Sequence, residues 1–290
     1  MNKIILSHEH VTIDLSGVKK DDDCRMDDRS VAESEFSALA RRGVYAVVDQ
    51  TARGMGRDPL YSQSIADKCG IRLSHATGYY KEPFLPDECY DKSERELASI
   101  MITELVRGIE YTGIKADHIG EIGTSGDYIH DIERKVFCAA SYAHAETGAP
   151  ICTHSTLGRL GLEQTAIFKE RGVDLSRVVI SHIDLSGDYQ YMLRLLNTGV
   201  NIGFDTVGKE NYMPDAKRVA WLVDLCRAGY SDQIVLSMDI TRKSNCKPLG
   251  GIGYCFLPDE FLPQLTAAGL SEQCLTKLLE SNAARIYGIH

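Results

Sequence analysis

Apolar residues in this chain gather into eight short runs, at residues 3–8, 44–49, 71–76, 117–122, 149–154, 178–183, 201–205 and 234–239. The runs start about 33 residues apart on average, the length of one strand, one helix and two loops. They are nearly continuous in Val, Ile and Leu instead of alternating with polar residues, as parallel strands covered on both faces are. Between them the pattern takes on a helical period. Leu97, Ile100, Met101, Leu105 and Ile109 form one such face, and it must pack on the sheet. Ser30–Glu33 and Ser93–Glu96 have the spacing of capping boxes. Gly43, Gly148, Gly172 and Gly199 each close a helical stretch shortly before a run, where a left-handed C-cap is expected. Eight β-α alternations predict an α/β fold, a single-domain (β/α)8 TIM barrel over residues 1–290, with a doubly wound sheet as the second option. No linker or low-complexity tract divides the chain.

Composition narrows the partners. The formal charge of −9 and pI of 5.5 exclude nucleic acid and anionic membrane surfaces as main partners and leave a small-molecule substrate. Nine cysteines, an odd number with no C-x-x-C pair, point to free thiols and a reducing compartment. Cys138, Cys152 and Cys226 lie within apolar patterns, where a thiol acts as a small hydrophobe. The apolar stretch Ile4-Ile5-Leu6 is too short for a signal core or a membrane span, so a cytoplasmic location is expected.

The candidate chemistry sits at the ends of the runs. His8 and His10 end the first, Glu121 the fourth, His154 the fifth, His182 the sixth and Asp239 the eighth. The carboxyl ends of barrel strands are where active sites of this fold lie, so all six share one address. His8 and His10, two apart on a strand, leave the same face and can grip one metal. His154 and His182, on adjacent strands, suit a second, because neutral imidazole is a common zinc ligand. Asp239 reaches the His8/His10 metal when the barrel closes, and Glu121 can bridge both. A carboxylate buried there without a cation would be expensive. Asp205 and Asp184 are either acceptors that orient these ligands or ordinary loop acids. His75 reads as a core residue or as support for the ligands. His118, His130, His144 and His290 read as solvent or helix positions.

Taken together, SHEH, TGYY (77–80), EIGTS, THS, SHID, FDTVG and SMDI span the whole chain and resemble the phosphotriesterase-like family of the amidohydrolase superfamily, within it the bacterial homology-protein subgroup. The resemblance implies a binuclear centre. His8, His10 and Asp239 would hold the more buried metal, and His154 and His182 the more exposed one. The bridge, a carboxylated lysine in many members, would here be Glu121. Two divalent ions are expected, zinc first, with manganese or cobalt able to substitute. The implied reaction is hydrolysis of a lactone, carboxylic ester or phosphoester by hydroxide shared between the metals, with Asp239 taking the proton. No G-x-S-x-G suggests a serine nucleophile. Homodimers are common in the family.

Substrate contacts are expected from Tyr80, with Tyr79 beside it, and from the loop after Asp239. That loop carries Arg242, Lys243 and Lys247, then Gly250-Gly251-Ile252-Gly253-Tyr254, and is either a flexible basic cover able to receive an anionic group or a solvated surface loop. A mononuclear deaminase would need a Glu soon after the fifth-run histidine, and HSTLG has none. A metal-free lyase or isomerase would call for a buried lysine; Lys209 falls beyond FDTVG. A non-catalytic metal- or ligand-binding barrel is the remaining alternative.

Overall fold

Seven of the eight runs become strands within one residue of the expected start, and the fifth begins two residues late, at Ile151, in a computed structural model that describes residues 3–290. The strands are β1 (Ile4–Glu9), β2 (Val44–Asp49), β3 (Arg72–Thr77), β4 (His118–Thr124), β5 (Ile151–Ser155), β6 (Val178–Ile180), β7 (Asn201–Phe204) and β8 (Ile234–Leu236). Each pairs in parallel with the next, from β1 through to β8. The main intervening helices are α1 (Arg29–Arg41), α2 (Pro59–Cys69), α3 (Glu94–Val106), α4 (Asp131–Thr147), α5 (Gly161–Glu170), α6 (Tyr189–Leu196) and α7 (Asp215–Arg227). The result is a nearly closed (β/α)8 barrel in one domain.

The seam between β8 and β1 is closed largely by side chains. The Ser7 hydroxyl donates to the Leu236 carbonyl (3.0 Å) and the Asp239 N–H to the His8 carbonyl (3.2 Å). Glu9, between the two histidines of SHEH, accepts from the Ser237 hydroxyl (2.7 Å) and from the N–H groups of Met238 (2.8 Å) and Ile240 (3.0 Å). Burial pushes its carboxyl above the ordinary range, and these donors only partly offset that. Glu9 thus ties the start of the site to its end.

The main core lies between strands and helices. Leu97 and Met101 of α3 are fully buried in it, a stabilisation of roughly 1.5–3 kcal/mol per side chain. A smaller cluster of Ile5, Ala46, Val48, Cys152, Val179 and Val235 fills the amino end of the barrel and meets Ile286, Tyr287 and Ile289 at the C terminus. All nine cysteines are free. Among the described residues no helix is long and apolar enough to cross a membrane.

Several expectations need correction. The predicted box at Ser30 is displaced: Asp28 caps α1, accepting from the Ser30 and Val31 N–H groups, because its carboxylate is the stronger acceptor and the Ser30 hydroxyl turns to donate to it. The Ser93–Glu96 box on α3 is present. β6 and β8 stop at Ile180 and Leu236, so His182 and Asp239 stand just past their strands, both at positive φ, where a ladder cannot continue. His118 is not at the surface. It is buried in β4 against Tyr287, with Nδ1 on the Ser74 hydroxyl (3.0 Å) and Nε2 on Gln50 Oε1 (3.1 Å), and burial lowers its pKa to about 3, so it is neutral. His144 does lie on a helix, α4, but on its buried side, with Nδ1 on the Ala149 carbonyl (2.8 Å). His75 is buried, as its core reading had it, with Nε2 on Gln63 of α2 (2.8 Å), and it does not support the candidate ligands.

Candidate active site at the carboxyl end of the barrel

Local backbone chemistry aims the six candidate ligands. The β1–β2 register shifts between Leu6 and Glu9, a bulge that redirects a side chain, and His8 lies within it. Glu121 follows Gly120, whose φ of +149° and closeness to β5 admit no side chain: a Cβ there would stand 2.6 Å from the Cys152 carbonyl oxygen. His182 (φ 60°) and Asp239 (φ 51°) hold left-handed conformations that cost of order 1–3 kcal/mol each in a non-glycine residue. Strain of that size at two candidate ligands marks a place where position outweighs stability.

The side chains converge on Glu121. His8 Nε2 is 3.4 Å from its Oε2 and 3.7 Å from Asp239 Oδ1; His10 Nε2 is 3.3 Å from Asp239 Oδ1 and 3.7 Å from Glu121 Oε1. On the other side of Glu121, His154 Nδ1 is 3.0 Å and His182 Nε2 3.5 Å from Oε2, and those two nitrogens are 2.9 Å apart. Donor atoms of His8, Glu121 and His182, and of His8, His10 and Asp239, lie close enough together to share an ion. His8 Nε2 and His10 Nε2 are buried and lack any hydrogen-bond partner. A buried nitrogen pointed at carboxylates and bonded to nothing is what a cation ligand requires and what an ordinary core rejects. The donor set fits divalent metal.

Each ring is oriented from behind, as metal-binding histidines commonly are. His182 Nδ1 donates to Asp205 Oδ1 (2.7 Å), which also accepts the His182 N–H (2.8 Å). His8 Nδ1 meets the Ser181 hydroxyl (3.1 Å) with Asp205 Oδ2 at 3.5 Å. His10 Nδ1 meets the Thr51 hydroxyl (2.9 Å). Asp205 is therefore a support for the ligands, packed so closely over Gly203 that a Cβ there would collide with its carboxylate. Asp184 is bound instead to Arg218 (2.7 Å) and Thr206, outside the ligand set.

Charge balance points the same way. Burial opposes ionisation of Glu121 and Asp239, yet both carboxyls lie below their usual range, Glu121 because of His154 and His8, Asp239 because of Lys209 and His10. Burial opposes the charge on His8 and His182 too, but Glu121 raises the first and Asp205 carries the second to about 10. His154, buried beside Lys81, falls to about 3. The two carboxylates thus demand positive charge close by.

The cavity over these groups holds about 200 Å³ and is lined by Tyr80, Lys81, Thr156, Leu157, Lys209 and Arg242 among others. Tyr80 reaches it, its hydroxyl 3.3 Å from His154 Nδ1; Tyr79 is buried on the far side, near Arg53 and Glu88. Arg242 is at the rim but already paired with Asp21 (2.7 Å) and Asp23 (3.3 Å). Lys243 and Tyr254 lie outside this cavity. The loop that carries them is no flexible cover: Asp23 holds the Ser244 N–H, Glu35 of α1 holds the Lys247 and Tyr254 N–H groups, and the Tyr254 hydroxyl donates to the His10 carbonyl (2.6 Å). Two lysines went unselected. Lys209 Nζ contacts Asp239 at both its carbonyl and Oδ2, the latter at 2.6 Å. Lys81 contacts His154 Nε2 (3.0 Å) and the Thr156 hydroxyl (2.6 Å), and burial lowers its pKa to about 8. Lys81 follows TGYY directly, so its position just past β3 was the signal.

Comparison with known proteins gives the family and the fold. A model of the Phosphotriesterase family matches residues 3–287. The chain is 42% identical over 282 residues to the phosphotriesterase homology protein of Escherichia coli K12, covering 97% of each. The crystal structure of that E. coli homology protein, complexed with phosphate in its active site, superposes with a TM-score of 0.97 at 41% identity over 99% of each chain. A lactonase from Listeria monocytogenes superposes with a TM-score of 0.93 at 27% identity, over 98% of this chain and 94% of its own.

Proposed function

This chain belongs to the phosphotriesterase family, and from that premise we propose that it is a metal-dependent hydrolase acting on an ester-type bond of a small molecule, whether lactone, carboxylic ester or phosphoester. One observation carries the reading: His8 Nε2 and His10 Nε2 are buried against Glu121 and Asp239 with no hydrogen-bond partner. His8, His10 and Asp239 would hold one divalent ion, His154 and His182 a second, and Glu121 both. Zinc suits an imidazole-rich set best, and manganese or cobalt could substitute. Bound there, the ions would polarise a carbonyl or phosphoryl oxygen and lower the pKa of a water toward about 7.

The protein's own groups do the rest. Asp239 stands ionised with Oδ1 toward the histidines and Oδ2 fixed by Lys209, placed to accept the proton of the attacking water and release it to the cavity. Lys209 keeps that carboxylate aimed. The Tyr80 hydroxyl, on the cavity wall beside His154, can donate to a substrate oxygen. A mononuclear deaminase finds no support, since Glu121 and Asp239 are the only carboxylates on this wall among the described residues. The ester preference draws on the Listeria lactonase relative. The test is turnover by metal-loaded protein of a γ-lactone, an aryl carboxylic ester and an aryl phosphotriester. Asp239→Asn should lower kcat on whichever is hydrolysed by about 10²–10⁴-fold. No turnover of any of them by fully metal-loaded protein would favour a non-catalytic binder.

A further inference from the structure

Four cationic side chains line the cavity, and their partners differ. Lys209 is paired with Asp239 at 2.6 Å, and Arg242 with Asp21 and Asp23 at 2.7 and 3.3 Å. Lys19 is exposed to solvent. Lys81 is partly buried in the cavity wall, and among the described residues no carboxylate stands within 4.0 Å of its Nζ. Its two hydrogen-bond partners are neutral, the Thr156 hydroxyl at 2.6 Å and His154 Nε2 at 3.0 Å, and it stands 5.3 Å from the centre of the Tyr80 ring. Thr156 can accept from Lys81 because its own proton goes to the Thr124 carbonyl (2.7 Å).

The contact with His154 is conditional. A neutral imidazole accepts through one nitrogen and donates through the other. His154 Nδ1 is the nitrogen turned to Glu121 (3.0 Å) and to His182 (2.9 Å), the direction in which it would serve as a ligand. Used that way, Nε2 carries the proton and no longer accepts. Lys81 Nζ then keeps one side-chain acceptor, the Thr156 hydroxyl, and its remaining donors face the cavity. Glu121 and Asp239 act on it only from beyond ion-pair distance, so an anion in direct contact with Nζ would find donors that no side chain occupies.

We propose that Lys81, with Thr156 beside it, receives an anionic group of the substrate, a carboxylate, sulfonate or phosphate carried apart from the bond that is cleaved. The ligand it selects is a compact acid. Its anion meets Lys81, its ester-type group lies over Glu121 and Asp239, and its apolar body rests against Ile13, Leu15 and Met55, which line the cavity too. This substrate class rests on the hydrolase reading above, whereas the anion seat itself does not.

Two measurements on metal-loaded protein separate the claims. The first is binding of inorganic phosphate by calorimetry to wild type, Lys81→Gln and Lys81→Arg, with metal content recorded for each. Lys81→Gln should weaken phosphate about tenfold or more with metal content unchanged, and Lys81→Arg should retain affinity within about threefold. The second is kcat/KM for a carboxylate-bearing ester against its neutral methyl ester. The ratio should fall about tenfold or more in Lys81→Gln and recover in Lys81→Arg. Absence of phosphate binding to wild type, equal affinity in Lys81→Gln, or loss of metal in both variants would overturn the proposal, the last by making Lys81 a support for His154 alone. If wild type hydrolyses neither ester, the hydrolase reading falls and the phosphate measurement decides Lys81 on its own.

Discussion

Asp205 shows how much of this site is built by residues that would touch neither metal nor substrate. One carboxylate takes the Nδ1 proton and the backbone N–H of His182 and stands 3.5 Å from His8 Nδ1. It fixes the tautomer of His182 so that Nε2 stays free to face Glu121. Asp205→Asn keeps the shape but can present an N–H where an acceptor is needed, so metal affinity or activity should fall about 10–100-fold. Titration with a chelator-buffered metal checks it, and affinity equal to wild type would remove Asp205 from the site. Type and strand position made the six candidate ligands legible in the sequence. Lys81 was overlooked because lysine is not a common metal ligand, although it occupies the same kind of address. Tyr254 and Lys243 were misplaced because nothing in the chain's local pattern shows that Asp23 and Glu35 pin the loop that holds them.

Elements were legible to the extent that their causes are local. Continuous Val/Ile/Leu runs gave the strands, since a parallel strand buried on both faces leaves that signature. Strand ends at β6 and β8 were not visible, because positive φ at His182 and Asp239 is imposed by the site and not by residue type. Helix starts depend on which of several acceptors wins. At α1 the winner is Asp28, so Asp28→Ala should destabilise by about 1 kcal/mol in chemical denaturation while Ser30→Ala should cost only a few tenths. A reversed order would restore the Ser30 box. Between elements, Glu104 of α3 binds Arg57 (2.8 Å) and Arg53 (3.0 Å) after β2 and the Thr77 hydroxyl (2.6 Å) at the end of β3. Burial alone would raise its carboxyl, but Arg57 and its other partners outweigh burial and hold it below the ordinary value. A carboxyl with a depressed folded pKa stabilises fully above its unfolded pKa, near 4.3, and loses that contribution as pH falls through the folded value. Wild type should therefore exceed Glu104→Gln by about 3–5 kcal/mol at pH 7, the cost of breaking a buried pair, and the gap should narrow below about pH 4. Urea midpoints across pH 7 to 3 measure it, and a gap that widens in acid would reverse the assignment.

At the scale of the molecule, eight parallel strands deliver residues from β1, β4 and β5 and from just past β1, β6 and β8 to one point, and Glu9 closes the ring at the seam. No short segment of this chain could form the site, since His8 and Asp239 meet only when the barrel closes. The fold therefore secures geometry, and the ions would secure charge: Glu121 is buried and Asp239 half-buried beside His8 and His10, whose facing nitrogens have no hydrogen-bond partner. The central claim is that Glu121 holds two ions at once, and elemental analysis of purified protein with a Glu121→Ala variant alongside tests it most directly. The account predicts near two divalent ions per chain in wild type and a sharp drop in the variant. One ion per chain, unchanged by the substitution, would contradict it.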